Sequence, residues 1–203
     1  LLKISSNTYY DDGKLHTSID RKGRTTTFSY TPTGKPESVT YQSGAVSFMY
    51  DSRDNLIQMQ DSSGTTSYTS YDAVNRLTGM IDANGFGIGY VYDEAGNLTT
   101  LTYPGGRTVS YTYDELNRLE TVSIDWLSRT ATYSYDNAGR LTGLTQLNGT
   151  VVSYTYDGAN RLTGLANRVS TGGSIIASYS FVLDGNGNRT DVVQQGSLPL
   201  GIE

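Results

Sequence analysis

Cysteine is absent from this sequence of 203 residues, and histidine occurs once, as His16. Disulfides and thiolate metal sites are therefore excluded, and cysteine usage leaves the cellular compartment undecided. The 15 Lys and Arg residues are fewer than the 20 Asp and Glu residues and form no basic stripe, so we expect no nucleic-acid partner. No apolar run reaches the roughly 18 residues that a transmembrane helix needs, so no membrane span is expected.

What the sequence has in abundance is tyrosine and glycine. Tyr accounts for 17 residues, against 4 Phe and 1 Trp, and both Tyr and Thr suit half-buried positions in pleated sheets. The 23 Gly residues supply backbone positions at positive φ, while only 4 Pro residues are available for turns. The composition therefore predicts an all-β protein with many turns.

A short block of residues recurs with a period near 21 residues. Its form is Tyr-Asp-x-x-(Gly/Asn)-Arg-Leu, and the clearest copies begin at Tyr71, Tyr92, Tyr113, Tyr135 and Tyr156, spaced 21, 21, 22 and 21 residues apart. Another copy begins 21 residues before the first of these. The structural signature of the six copies comprises Tyr50, Asp51, Leu56, Tyr71, Asp72, Asn75, Arg76, Leu77, Tyr92, Asp93, Gly96, Leu98, Tyr113, Asp114, Asn117, Arg118, Leu119, Tyr135, Asp136, Gly139, Arg140, Leu141, Tyr156, Asp157, Asn160, Arg161 and Leu162.

Three weaker copies extend the pattern outward. The block at Tyr30 keeps Tyr and Gly but loses Asp and Leu, and the block taken to begin at Tyr10 is one residue short in its turn. The block at Leu183 replaces Tyr with Leu after a longer gap of 27 residues. The sequence therefore predicts a single array of about nine hairpin units over residues 1–203, with degenerate end units at 1–45 and 168–203.

Each unit has the pattern of a β-hairpin. Alternation such as Val109-Ser110-Tyr111-Thr112-Tyr113 puts the apolar and aromatic residues on one face of a strand and the hydroxyl residues on the other. The Asp that follows can accept hydrogen bonds from backbone N–H groups ahead of it, and the Gly or Asn three positions later tolerates a left-handed backbone. Apolar residues spaced by three, as in Leu119 and Val122, predict a bulge where the second strand begins.

A second turn closes each unit. Asn84-Gly85, Gly105-Gly106 and Asn148-Gly149 are typical of two-residue hairpin turns. In the segment Asp125–Arg129 this Gly is missing and the unit is one residue longer, so we expect a wider turn there.

These residues resemble the YD-repeat, or RHS, family, whose motif is Tyr-Asp-x-x-Gly-Arg-Leu with a Tyr-x-Tyr-Asp return. The resemblance spans roughly residues 9–190. It implies tandem antiparallel hairpins that form a curved or spiral sheet, shell or solenoid. In bacterial members of this family the shell encloses a toxin, and in teneurins it is part of an adhesion ectodomain. Carbohydrate binding by such repeats is a further possibility that the resemblance implies.

Two features of the bacterial relatives are missing from the sequence. Asp-Pro, which their self-cleaving plug contains, occurs nowhere, and residues 198–203 do not resemble that plug. Nor does an effector domain follow Asn188, so we expect neither self-cleavage nor a toxic activity. The start, residues 1–6, is too short and too polar for a signal peptide and is typical of a chain cut from a longer one or of a mature piece. Eighteen strands at roughly 4.8 Å each span about 86 Å, which wrapped once encloses a tube only about 27 Å across. We therefore expect a segment of a larger shell or a narrow solenoid.

Candidate ligand sites are few. His16 has no His or Glu at metal-ligand spacing, and the recurring Asp stands alone in each turn where calcium loops carry several acidic ligands, so turn capping is favoured and no cofactor or metal is expected. Tyr alternates with Ser and Thr, which favours an inward-facing role over stacking on sugars. Three N-glycosylation patterns, beginning at Asn97, Asn148 and Asn188, fall where the turns already require Asn.

The leading hypothesis is a non-enzymatic structural shell or scaffold segment of a secreted or cell-surface protein, of bacterial origin. A second is an extracellular filament or tube, in which edge strands pair with neighbouring repeats of identical chains. A third is a carbohydrate-binding or adhesive surface. An enzyme comes last, because no nucleophile is paired with a base.

Overall fold

The strands alternate with turns along the whole described chain, as the composition predicts. The computed structural model describes residues 5–196; residues 1–4 and 197–203, which include the stretch 198–203 compared with the plug above, lie outside the described residues. Apart from two short 3-10 turns, Pro104–Gly106 and Asp125–Leu127, all regular elements in this part are β-strands. The strands are β1 Ser6–Tyr9, β2 Leu15–Ile19, β3 Thr25–Tyr30, β4 Pro36–Tyr41, β5 Gly44–Tyr50, β6 Leu56–Asp61, β7 Gly64–Tyr71, β8 Leu77–Ile81, β9 Gly87–Tyr92, β10 Leu98–Thr102, β11 Thr108–Tyr113, β12 Leu119–Ile124, β13 Arg129–Tyr135, β14 Leu141–Thr145, β15 Val151–Tyr156, β16 Leu162–Arg168, β17 Ile175–Leu183 and β18 Arg189–Gly196.

Two compact units make up the chain. Unit 1 consists of Leu1–Val91 and Thr102–Gly106, and unit 2 consists of Tyr92–Leu101 and Arg107–Glu203. In unit 1, each strand from β1 to β8 pairs antiparallel with the strand that follows it. In unit 2, the same holds for each strand from β11 to β17. The tandem antiparallel hairpins inferred from the repeat are therefore confirmed.

The period-2 pattern produces two unlike faces. In β11, Val109, Tyr111 and Tyr113 are buried or half-buried, while Ser110 and Thr112 between them are exposed. Full burial is rare: the buried apolar residues are Val109, Ala131, Val152 and Ala177, which are 6–7% exposed and lie in strands of unit 2. The signature tyrosines Tyr50, Tyr71, Tyr92, Tyr113, Tyr135 and Tyr156 are half-buried.

A bulge starts the second strand of the signature hairpins. Thr112 pairs with Thr121 and Tyr113 pairs with Leu119, so that Glu120 is left without a partner across the ladder. The same shift occurs at Tyr135↔Leu141 and Tyr156↔Leu162. The three-residue apolar spacing is thus accounted for, and the predicted bulge is confirmed.

The second turns differ from the prediction. Ile81 pairs with Gly87, so Asn84 and Gly85 lie within a five-residue loop, and Thr145↔Val151 likewise encloses five residues. The two-residue prediction was wrong at both because a side chain organises a longer loop: the Asp82 carboxylate accepts the N–H groups of Asn84 and Phe86 at 2.9 and 2.8 Å. Gly105 and Gly106 also do not form a two-residue turn, because five residues, 103–107, separate the end of β10 from the start of β11. Two-residue turns occur instead at 42–43 and 62–63.

The turn expected to be wide is narrower than those loops. Ile124 pairs with Arg129, which leaves four residues, Asp125–Ser128, in the turn. Ser128 takes the left-handed backbone, at φ 48°, that Gly takes elsewhere. The extra residue of this repeat lengthens the hairpin, since β12 and β13 hold six and seven residues.

The first hairpin also required a correction. Tyr9, rather than Tyr10, pairs with Leu15, and the loop between them holds the usual five residues. Tyr10 therefore occupies the Asp position, and its N–H bonds to the carbonyl of Lys14 at 2.8 Å. The predicted one-residue deletion does not exist, because two adjacent tyrosines made the block look shorter than it is.

Candidate functional site

The Tyr-Asp turn is a five-residue loop built around one carboxylate. In the loop of Asp114, Oδ1 accepts the backbone N–H groups of Leu116 at 2.9 Å and Arg118 at 3.0 Å, and Oδ2 accepts Nε of Arg118 at 2.7 Å. The Asp114 N–H bonds to the Arg118 carbonyl at 2.9 Å, and Asn117 adopts a left-handed backbone at φ 58°. Loops headed by Asp72, Asp136 and Asp157 repeat these carboxylate contacts.

These hydrogen bonds favour the ionised carboxylate. The backbone N–H and then the side chain of Arg140 lower the pKa of Asp136 below its usual value. The pKa of Asp114 is lowered by the Arg118 side chain first and its N–H second. Among residues 5–196, no three His, Asp or Glu side chains come together as a metal ion would need. The geometry fits carboxylates used as turn caps.

Three arginines of the signature, Arg118, Arg140 and Arg161, also reach the next repeat. Nη1 of Arg140 donates to the carbonyl of Asp157 at 3.1 Å, and Nη1 of Arg161 donates to that of Asp184 at 2.7 Å. Nη1 of Arg118 makes the same bond to Asp136 at 3.3 Å. A turn carbonyl of one repeat is therefore held by the arginine of the repeat before it.

The tyrosine of the following repeat completes the connection. Tyr135 donates its hydroxyl proton to the carbonyl of Leu119 in the preceding repeat at 2.9 Å, and its ring centre lies 4.5 Å from the Arg118 guanidinium carbon. A cation over a ring at this distance is attracted to the π electrons. The hydroxyls of Tyr50, Tyr71, Tyr113 and Tyr156 also donate to a carbonyl of the preceding repeat, at 2.8, 2.5, 2.9 and 2.9 Å.

We call this set of contacts the inter-repeat clasp: Asp and Arg of one turn with Tyr and the turn backbone of the next. The tyrosine hydroxyl of the clasp is partly shielded from water. Burial is the main cause that raises the pKa of the Tyr113 hydroxyl, and the negative charge of Asp93 is the second cause. Arg140 and Asp136 are each about a quarter exposed, so the ion pair inside the clasp is only partly screened by solvent.

Asparagine replaces arginine in some clasps, with a different partner. Asn97 donates from Nδ2 to Oδ2 of Asp93 and to Oδ1 of Asn117, both at 2.9 Å. Asn55 likewise bonds Oδ2 of Asp51 at 3.0 Å and Oδ1 of Asn75 at 3.1 Å. The sequence interpretation missed Asn55 and Asn97, although the signal was present: each is followed one repeat later by Asn in the left-handed position.

The signature residues all lie in the described part and keep constant places. Tyr ends the first strand, Asp begins the loop and Leu begins the second strand in every copy. The left-handed position is occupied by Asn75, Gly96, Asn117, Gly139 and Asn160, at φ 63, 94, 58, 80 and 63°. The clasp brings Tyr, Asp and Arg of neighbouring repeats together.

The other candidates stay apart from this row. His16 lies in β2, with its ring 4.4 Å from that of Tyr10. Among the N-glycosylation patterns, the Asn97 and Asn188 side chains donate to turn carboxylates, and Asn148 accepts the Thr150 N–H at 3.0 Å. Among the described residues, no helix is long and apolar enough to cross a membrane.

Known structures share this fold. A crystal structure of TcdB2-TccC3 superposes with a TM-score of 0.79 and 15% identity over 98% of this chain. The Photorhabdus luminescens Tc holotoxin pore with a TccC3 mutation superposes with a TM-score of 0.78, again at 15% identity and 98% coverage. This chain spans only 12% and 11% of those two chains. No curated protein sequence matches it significantly.

The sequence itself identifies the family. The model of the family described as Teneurin YD-shell matches residues 3–128, which is more than half of the chain. The matched range contains the repeats from Tyr9 to Leu119. This protein therefore belongs to the teneurin YD-shell family and is a segment of such a shell.

Proposed function

We propose that this chain is a non-enzymatic structural segment, here called the wall, of a secreted or cell-surface shell protein, in which the clasps hold neighbouring hairpins together. The observation that supports this most is how the signature side chains are used. Both carboxylate oxygens of Asp136, the Nε and Nη1 groups of Arg140 and the hydroxyl of Tyr156 all form bonds within or between turns. The groups that recur in the sequence thus have structural partners.

The same bonding argues against catalysis at the signature. A general base must accept a proton and a nucleophile must be within its reach. The lowered pKa of Asp157, caused first by the Arg161 N–H, makes it a poor base. The hydroxyl of Tyr156 donates its proton to the carbonyl of Leu141 at 2.9 Å, which is not a base.

A carbohydrate-binding function has less support than the structural function. Stacking requires an exposed aromatic face, whereas signature tyrosines such as Tyr113 and Tyr135 are half-buried with bonded hydroxyls. In unit 1, the exposed Tyr41 borders a groove of about 630 Å³, but its charged residues, Asp20 and Arg24, pair with each other at 2.6 Å. Glycan-array screening tests this role directly, and an array without signal discards it.

The wall proposal predicts that opening clasps exposes the turns to proteases. We expect Arg118→Ala combined with Arg140→Ala to be cut several times faster than wild type in limited proteolysis. The matched control is Arg53→Ala, since the guanidinium of Arg53 makes no hydrogen bond among the described residues. Equal cleavage rates for the double variant and the control would refute the proposed role of the clasp.

The secreted or cell-surface location is tested by a separate measurement. An antibody against the purified chain, applied to intact cells and to the culture medium of the source organism, should detect the protein in either place. Signal only after the cells are lysed would contradict the secreted or cell-surface location while leaving the proteolysis result unaffected.

A further inference from the structure

The two ends of the hairpins in unit 2 differ in charge. Every Asp and Glu that the structure describes in this unit, apart from Asp125, lies in or within three residues of the first turns, which are headed by Asp93, Asp114, Asp136, Asp157 and Asp184. The second turns are bordered by Arg107, Arg129 and Arg168. Alternate turns of an antiparallel array lie at opposite edges of the sheet. The edge of the second turns is therefore positive, while carboxylates outnumber arginines at the other edge.

The positive edge also exposes apolar side chains. Trp126 and Leu127, in the turn between β12 and β13, are 41% and 49% exposed. At the turn between β16 and β17, Val169 and Ile175 are 53% and 36% exposed. Single exposed apolar residues are ordinary, but a row of them rimmed by polar groups marks a surface that contacts another molecule.

Two arginines flank the turn that contains Trp126. The guanidinium carbon of Arg107 lies 5.9 Å from the centre of the Trp126 ring, and Arg129 follows the turn directly. Among residues 5–196, neither arginine forms a hydrogen bond or a salt bridge, whereas the arginines of the clasps form both. The acidic neighbour Asp125 is occupied, because Oδ2 accepts the Thr108 hydroxyl at 3.1 Å and Oδ1 accepts the Trp126 N–H at 2.5 Å. Both guanidinium groups therefore remain available to an external anion.

Cations beside an indole ring and aliphatic side chains match the chemistry of a phospholipid surface. Trp prefers the boundary between headgroups and acyl chains, because its ring is apolar and its N–H is polar. Arg keeps its charged end at the phosphates while its stem covers apolar surface. A nucleic acid also presents phosphates, but it offers no apolar layer to Leu127 or Val169. The bilayer surface is the partner that uses both properties of this edge.

We propose that the edge of the second turns in unit 2 docks on a lipid bilayer with anionic headgroups. Trp126 and Leu127 enter the interface, and Arg107 and Arg129 contact the phosphates. The chain lies on the bilayer without crossing it. The opposite charges of the two edges orient the unit as it approaches. None of these four residues takes part in a clasp, so the inference does not depend on the wall proposal.

The fluorescence of Trp126 measures this docking directly, because Trp126 is the single Trp of the chain. The full chain is titrated with vesicles of phosphatidylglycerol and phosphatidylcholine, and separately with vesicles of phosphatidylcholine alone. We expect the emission to shift to shorter wavelength with the anionic vesicles. Binding to them should be about tenfold tighter than to phosphatidylcholine, the effect of the arginines at an anionic surface reduced by the net negative charge of the chain. This preference should decline as salt is added.

Variants separate the two contributions. Arg107→Gln/Arg129→Gln should remove the preference for anionic vesicles. Leu127→Ser should weaken binding to them about fivefold, because an apolar side chain no longer enters the interface. The matched control is Leu116→Ser, since Leu116 is 69% exposed at the opposite edge, and we expect its binding to equal that of wild type. Circular dichroism checks that each variant folds.

Three results would overturn the inference. One is an emission spectrum that neither vesicle changes, and another is equal binding by Leu127→Ser and Leu116→Ser. The third is a preference for anionic vesicles that survives Arg107→Gln/Arg129→Gln. Binding to an acidic protein or to DNA that equals vesicle binding and is insensitive to Leu127→Ser would also contradict a lipid partner. The proteolysis of Arg118→Ala/Arg140→Ala does not involve this edge, so failure here is distinguishable from failure of the wall proposal.

Discussion

Tyr135→Phe isolates one bond of the inter-repeat clasp. The substitution removes the hydroxyl that donates to the Leu119 carbonyl at 2.9 Å and keeps the ring over which Arg118 lies. A hydrogen bond of this kind contributes about 0.5–1.5 kcal/mol net. The hydroxyl is half-buried, so water solvates the abandoned carbonyl only in part, and we expect a loss of about 1 kcal/mol in the free energy of unfolding.

Thermal and urea unfolding followed by circular dichroism measure this loss. For a cooperative domain of about 150–250 residues, 1 kcal/mol corresponds to a shift of roughly 2–4 °C in Tm. Tyr133→Phe is the matched control, because Tyr133 is half-buried on the same face of β13 but its hydroxyl has no hydrogen-bond partner among the described residues. We expect its effect to stay within about 0.5 kcal/mol. Equal losses for the two variants would refute the inter-repeat bond.

Three further predictions follow from the turns. Gly139→Ala should destabilise by about 1 kcal/mol in urea titrations and Gly139→Asn by less, because φ is 80° there while the nearest atom to an added Cβ is an ordinary 3.7 Å away; equal losses would point to packing instead. Burial raises the pKa of Tyr113 in the folded state, so the free energy of unfolding should fall as pH rises above about 10. Tyr113→Phe should weaken this loss in thermal melts at alkaline pH. An unchanged dependence of stability on pH in that variant would contradict the burial of the hydroxyl. Hydrogen bonds from the Arg24 N–H and side chain lower the pKa of Asp20 to about 2, so the stability it contributes is present above about pH 4 and lost as pH falls toward 2; a smaller acid loss in Asp20→Asn checks this.

The hairpin array could be predicted from sequence because its determinants are local. Alternation sets the faces of β11, and the three-residue spacing from Leu119 to Val122 sets the bulge. The left-handed turn position favours Gly and Asn, with Asp54 at φ 62° as an exception. Each depends on residues within one repeat. Such features follow from backbone geometry and need no knowledge of how neighbouring repeats meet.

The clasp escaped prediction because its partners are one repeat apart. Period and residue type indicate that Arg140 recurs, but they do not show that its Nη1 reaches Asp157. The turn at Asp82 was mistaken for a two-residue turn because Asn84-Gly85 is a strong local signal, and the Asp82 carboxylate overrides it by holding a longer loop. Side-chain hydrogen bonds decided both outcomes.

A double-mutant cycle between Arg140 and Asn160 tests most directly whether the signature acts between repeats. Nη1 of Arg140 donates to Oδ1 of Asn160 at 2.9 Å, and Asn160→Gly removes this acceptor while keeping a residue that tolerates φ 63°. Unfolding free energies of wild type, Arg140→Ala, Asn160→Gly and the double variant give the coupling energy. We expect coupling of about 0.5–1.5 kcal/mol across the two repeats. Strictly additive losses would contradict the clasp and confine the signature to its own turn.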